Sequence, residues 1–160
     1  MNWRFNHNGV FGVRSTCVAL LAVLAACAPV EPPKQEPPVS SSVPAPTPND
    51  VSVRITAAQD GRNVEVALNQ RFAVELVGVP TAGYIWAPAR LPPFVSRAGE
   101  AGGPTTQAQN QPGFAGGNHW EVLMFVATTP GSGELVLEQR RPWETSEPPT
   151  AVFRVTIVAR

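Results

Sequence analysis

After Cys27 this chain has no cysteine at all; its two cysteines, Cys17 and Cys27, both lie near the N-terminus of the 160 residues. Residues 51–160 therefore have no disulfide framework, no thiolate metal site and no thiol nucleophile. An excess of charge of one sign is also missing. Lys plus Arg and Asp plus Glu stand at 12 each, so no net field points to nucleic acid, an anionic membrane face or a polyanion as partner. Histidine is scarce, and after His7 only His119 remains. A Ser-His-Asp site would have to recruit His119 and Asp60, with no Ser in a Gly-x-Ser-x-Gly context. The nine acids of residues 51–160 stand singly along strand-like stretches, which gives no support to a glycosidase-type carboxylate pair. No His-Glu-x-x-His, Cys-x-x-Cys, phosphate loop or dinucleotide fingerprint occurs. These gaps predict a non-enzyme without metal or cofactor.

What the chain has in abundance is turn-forming residues, 18 Pro and 13 Gly, a composition that favours many turns, little helix and an all-β fold. The N-terminus reads as an address. Arg4 and Arg14 precede an apolar run at 17–26 that is too short to span a bilayer and has the anatomy of a signal peptide. The run ends Leu24-Ala25-Ala26-Cys27, which resembles the bacterial lipobox. That resemblance implies cleavage before Cys27 and acyl chains on it, at ~0.8 kcal/mol per buried methylene enough to hold a soluble domain on a membrane. With Ala28 rather than Asp after the Cys, the Gram-negative sorting pattern implies the outer membrane. Residues 27–50 are rich in Pro with Glu, Gln, Ser and Thr. Such a stretch buries too little apolar area to fold and is expected to be a semi-rigid tether, extended at ~3.1 Å per residue.

From Val51 the pattern changes to period two. Val51, Val53 and Ile55 alternate with polar residues, and so do Val64, Val66 and Leu68, then Phe72, Val74 and Leu76. Tyr84-Ile85-Trp86 is strand-like, and residues 91–97 make a short strand entered through Pro92-Pro93. Residues 98–117 show no periodicity, which predicts a long structureless loop. Residues 120–127 are apolar on both faces, as in a central strand covered on each side. Leu135 and Leu137, then Phe153, Val155 and Ile157, complete seven or eight strands. Short strands with regular turns predict an antiparallel immunoglobulin-like sandwich over 51–160.

Three connections carry unusual residues. Val79-Pro80-Thr81-Ala82-Gly83-Tyr84 has a stiff Pro, a hydroxyl, a Gly free to take positive φ and an aromatic. Gly113-Phe114-Ala115-Gly116-Gly117 is nearly bare backbone around one ring. Residues 139–144, Gln-Arg-Arg-Pro-Trp-Glu, put Arg141, Pro142 and Trp143 where a hairpin closed for folding alone would favour Asn-Gly or Gly-X. In such a sandwich alternate loops share one end, so a thin glycine edge is expected between two polar or aromatic shoulders.

The order Pro-Thr-x-Gly-Tyr-x-Trp from Pro80, then Ala-Gly-Gly from Ala115, then Pro-Gly-x-Gly-x-Leu-x-Leu-x-x-x-Arg-Pro-Trp-Glu from Pro130 resembles the chagasin family of cysteine protease inhibitors. The resemblance covers essentially all of residues 51–160. It implies an immunoglobulin-like monomer whose three loops wedge reversibly, uncut, into the cleft of a papain-like cysteine protease. By position, Pro80, Thr81, Gly83 and Tyr84 would lie in the loop that approaches the catalytic histidine. Gly116 and Gly117, with Phe114 beside them, would lie across the catalytic thiol. Arg141, Pro142 and Trp143 would pack on the rim. The chain departs from the family pattern at Val79 for Asn, Ala82 for Thr, Phe114 for Gly and Gln139 for Tyr. Without the resemblance, an envelope adhesion or assembly module of the same fold, binding protein or glycan, accounts for the same loops.

Overall fold

A computed structural model describes residues 43–160. The signal peptide at 1–26, lipidation at Cys27 and the tether as far as residue 42 lie outside the described residues. Eight strands follow in order: β1 Val51–Thr56, β2 Asn63–Val66, β3 Arg71–Gly78, β4 Ile85–Arg90, β5 Val95–Pro104, β6 His119–Ala127, β7 Gly131–Arg140 and β8 Ala151–Ala159. They form two four-stranded sheets, β1-β3-β6-β5 and β2-β8-β7-β4, the expected sandwich. Within it β3 with β6, β5 with β6, β4 with β7 and β7 with β8 run antiparallel, while β1 with β3 and β2 with β8 run parallel. Successive strands reverse direction, so partners an even number of strands apart along the chain, as β1 and β3 or β2 and β8 are, come out parallel.

The alternation seen in sequence is the packing rule of the core. Phe153, Val155, Ile157 and Ala159 of β8 are buried while Arg154 between them is exposed. Phe72 and Phe125 stack across the centre with ring centroids 5.6 Å apart, and Ile55, Leu135 and Leu137 close around them with no exposed surface. Pro88 sits in β4, which is an edge strand of its sheet, where a missing ladder donor is tolerated.

The outer face of the first sheet is also covered. Ala73 of β3 with Val122 and Met124 of β6 forms a second buried cluster with Val51, packed against Ala45, Ala98 and Ala101. Its cover comes from residues 43–50, the end of the stretch expected to be tether. Thr47 is 8% exposed and its Oγ1 donates to Glu75 Oε1 at 2.5 Å, and the Val43 amide donates to Thr105 O at 3.0 Å. These eight residues are part of the domain, and the doubly apolar character of 120–127 is the other half of the same contact.

The long loop is shorter than its composition implies. β5 runs on to Pro104 and pairs with β6 through Gly102 and Gly103. There a Cβ on Gly103 would come within 3.3 Å of Pro46, and one on Gly102 within 3.2 Å of Trp120 O. These glycines make room for the covering segment and the neighbouring strand, so they belong to a crowded strand rather than a free loop. Without a disulfide, stability rests on this burial. Phe125→Ala is expected to cost about 3 to 5 kcal/mol, read as a lowered denaturant midpoint at unchanged m-value.

Candidate functional site

Strand directions put three connections at one pole. β3, β5 and β7 end there, and β4, β6 and β8 begin there, as the pairings Gly78 with His119, Pro104 with His119 and Ile85 with Arg140 require. The loop at 105–118 joins strands within the first sheet and that at 141–150 joins strands within the second, whereas 79–84 crosses from one sheet to the other. The crossing loop therefore lies in the middle. The expected order, with the glycine edge in the centre, gives way to one in which 79–84 is central and the glycine loop is a flank.

The central loop is a tight 3-10 turn. Val79 contributes no side-chain cap, and the turn is held by Pro80 at its first position and by Gly83 in the left-handed region at φ +83°. The amide of Tyr84 returns to Val79 O at 3.3 Å, closing the loop at its base. Pro80, Thr81 and Ala82 are left exposed at the tip. Trp86, two residues beyond, faces the core and donates its Nε1–H to Val77 O at 3.0 Å.

The 141–150 loop is fastened to this turn by Arg141. Its Nε donates to Ala82 O at 3.0 Å and its Nη1 to Glu144 at 2.9 Å, while the guanidinium lies 4.5 Å from the centre of the Tyr84 ring. The Glu144 hydrogen bond pushes the Arg141 pKa further up, so the staple keeps its charge. Trp143 rests on Gly83, where any Cβ would overlap its ring. The indole is nonetheless 68% exposed. Gly83 thus serves two needs, a positive φ and a bare surface for Trp143.

The glycine loop is braced from within by a residue the sequence reading passed over. Gln109 Oε1 accepts from the amides of Thr105 and Thr106 at 2.7 and 2.9 Å, and its Nε2 donates to Asn118 O at 2.7 Å. The Thr106-x-x-Gln109 spacing of a capping box is the signal that could have found it. Beyond the brace, Gly113, Gly116 and Gly117 take φ of +81°, +83° and +89°. Nothing lies within 4 Å of where a Gly116 Cβ would be. Phe114 is 47% exposed with its ring edge toward Gly117. Among the described residues, Phe114 and Trp143 are the exposed large hydrophobic side chains, and both stand on this pole.

Of the residues considered for hydrolytic chemistry, His119 sits at the foot of the glycine loop with Nδ1 3.2 Å from Gly117 O. Asp60 is engaged by the Arg154 amide at 2.8 Å on the β1–β2 turn. Below the pole, a cavity of about 680 Å³ opens between the β4 and β5 edges, lined by Ile85, Trp86, Gly102, His119 and Glu121. Glu121 Oε2 accepts the Trp86 amide at 2.8 Å, and Oε1 is buried without a hydrogen-bond partner among the described residues. Burial pushes this carboxyl up from its ordinary value, with the Trp86 hydrogen bond partly opposing and the nearby Glu100 charge adding to the rise. Gly78 is the residue that admits it, since a Cβ there would overlap Oε1.

Comparison with known proteins places this arrangement. The family described as chagasin family peptidase inhibitor I42 matches residues 65–157. The crystal structure of the cysteine protease inhibitor EhICP2 from Entamoeba histolytica superposes with a TM-score of 0.56 at 20% identity, covering 68% of this chain and 96% of that one. The solution structure of amebosin superposes with a TM-score of 0.52 at 22% identity, covering 68% and 97%. A search of curated proteins finds no match.

The raised carboxyl makes a pH-dependent test. Because the Glu121 pKa is higher in the folded chain than unfolded, ionising it as pH rises through that interval costs stability, and below the ordinary value of 4.5 the cost disappears. Glu121→Gln is expected to be more stable than the parent at neutral pH, with the gap closing as pH falls below the carboxylate range, followed by thermal melts across pH.

Proposed function

The chain belongs to the chagasin family of peptidase inhibitors, and from that membership we propose that it is a reversible, uncleaved inhibitor of papain-like cysteine proteases, acting one chain to one enzyme through its loop pole. The observation that carries the reading is the pole itself. It holds both exposed large hydrophobics of the described residues, Phe114 and Trp143, on turns whose backbones are already fastened by Gln109 and Arg141.

The mechanism follows from what a thiol protease needs. Its sulfur must come to ~3 Å from a carbonyl carbon in an attack geometry. A backbone edge held at positive φ around Gly116 and Gly117 fills the cleft closely while denying that geometry. Pro80 and Thr81, at the tip of the central turn, enter deepest, and Arg141, Pro142 and Trp143 lie against one rim. Trp143 is set in place by Gly83 and the Arg141 staple before any enzyme arrives, so little conformational freedom is lost on binding. A pre-set indole of this kind contributes as a hot spot, about 2 kcal/mol or more. The departures at Val79 and Ala82 leave the turn intact, because the backbone of Val79 and the carbonyl of Ala82 do the work there.

The proposal extends to the cell. The lipobox-like Leu24-Ala25-Ala26-Cys27 supports a mature protein anchored through acylated Cys27 in the cell envelope, at the outer membrane. Growth with labelled palmitate should tag the protein, and Cys27→Ala should abolish the tag; persistence of label in that variant would remove the anchor from the proposal.

Titrating the protein into papain with a fluorogenic substrate tests the central reading. Stoichiometric, reversible loss of activity with intact inhibitor recovered is the expected result, and a flat response at micromolar protein overturns it. Trp143→Ala should raise the inhibition constant about tenfold or more, with the melting temperature little changed because the side chain is mostly exposed.

A further inference from the structure

The covering segment does more than close the outer face of a sheet. From Val43 at the loop pole it runs away from that pole, as far as Asp50, which pairs with Arg71 at 2.6 Å beside the start of β1. At the pole end, Val43 makes two backbone bonds. Its amide donates to Thr105 O at 3.0 Å, and its carbonyl accepts the Trp120 Nε1–H at 2.8 Å. Thr105 opens the glycine loop, and Trp120 is the second residue of β6, into which the loop leads, so Val43 ties together the two stems of that loop.

The tie continues inward. Thr105 is only 2% exposed; its Oγ1 donates to Asn118 O at 3.0 Å, and its amide donates to Gln109 Oε1 at 2.7 Å. Gln109 reaches back to Asn118 O, the residue after Gly117. A continuous set of hydrogen bonds therefore runs from Val43 through Thr105 and Gln109 to the foot of the Gly116–Gly117 edge. The segment is itself held at two further points, Pro46 lying over Gly103 and Thr47 bonded to the buried Glu75.

From this we infer that residues 43–47 are a latch that sets the position of the glycine edge, with Val43, Thr47 and Trp120 as positioning residues for inhibition. The inference rests on the reading of the pole as the protease-binding surface. The central loop and the 141–144 turn are braced against each other by Arg141, whereas the glycine loop is braced by the latch and by its own Gln109. An untied glycine loop samples more conformations, so the bound geometry is populated for less of the time and affinity falls in proportion.

Two substitutions in the whole chain test this. Trp120→Phe keeps a ring on the sheet and removes only the donor to Val43. Thr47→Val loosens the segment at a point remote from the loop. Both are expected to speed amide hydrogen exchange across residues 106–118 while leaving the β3 and β8 core amides protected. Both should also raise the papain inhibition constant about tenfold, chiefly through faster dissociation. Unchanged loop exchange in both variants overturns the latch. Faster loop exchange with unaltered inhibition, when the parent chain inhibits, overturns its positioning role. A parent chain that leaves papain untouched overturns the functional reading instead, and the exchange measurement still decides whether the latch holds the loop.

Discussion

The constraint on which the rest of this structure depends is the double burial of β3 and β6. With no disulfide available to residues 51–160, the two central strands of one sheet must be held by apolar contact on both faces. One face meets the second sheet around Phe72 and Phe125. The other would leave Ala73, Val122 and Met124 in water were it not covered by residues 43–50 and the alanines beside them. That cover explains why Gly103 of β5 is bare beneath Pro46 and how Glu75 can be buried with Thr47 as its partner.

The pole shows a second form of economy, in which a few polar contacts organise long stretches of irregular backbone. Arg141 joins the crossing loop to the 141–144 turn through the Ala82 carbonyl and the Tyr84 ring face while Glu144 of its own turn holds the guanidinium. Gln109, with Thr105 beside it, spans the base of the glycine loop. Each uses a planar side chain with several hydrogen-bonding sites, which can hold two strands of backbone at fixed separation in a way that a point charge or a methyl group cannot.

Much of this was legible in residue order. Period-two alternation located most of the eight strands, and the two-faced apolar run at 120–127 announced a central strand. The ordered motifs from Pro80, Ala115 and Pro130 identified the family and brought the ten candidate residues to one pole. Gly102 and Gly103 were misread, because glycine in an aperiodic stretch looks the same whether it frees a loop or clears space for the Trp120 carbonyl and for Pro46. The ordered end of the Pro-rich stretch was hidden for a related reason. Val43, Ala45 and Thr47 are too few and too widely broken by prolines to show a period of their own, and their order comes from the sheet beneath them.

The sequence by itself determined the fold class, the family and the residue types at the pole, since these follow from local alternation and from motifs contiguous along the chain. Tertiary structure alone decided which loop is central, that Arg141 fastens Ala82 across a separation of 59 positions, that Trp143 sits on Gly83, and that residues 43–50 pack as part of the domain. Those facts depend on which strands share a sheet and which connection crosses between sheets. That is a property of non-local pairing, where burial shared between distant segments outweighs what any one segment prefers alone.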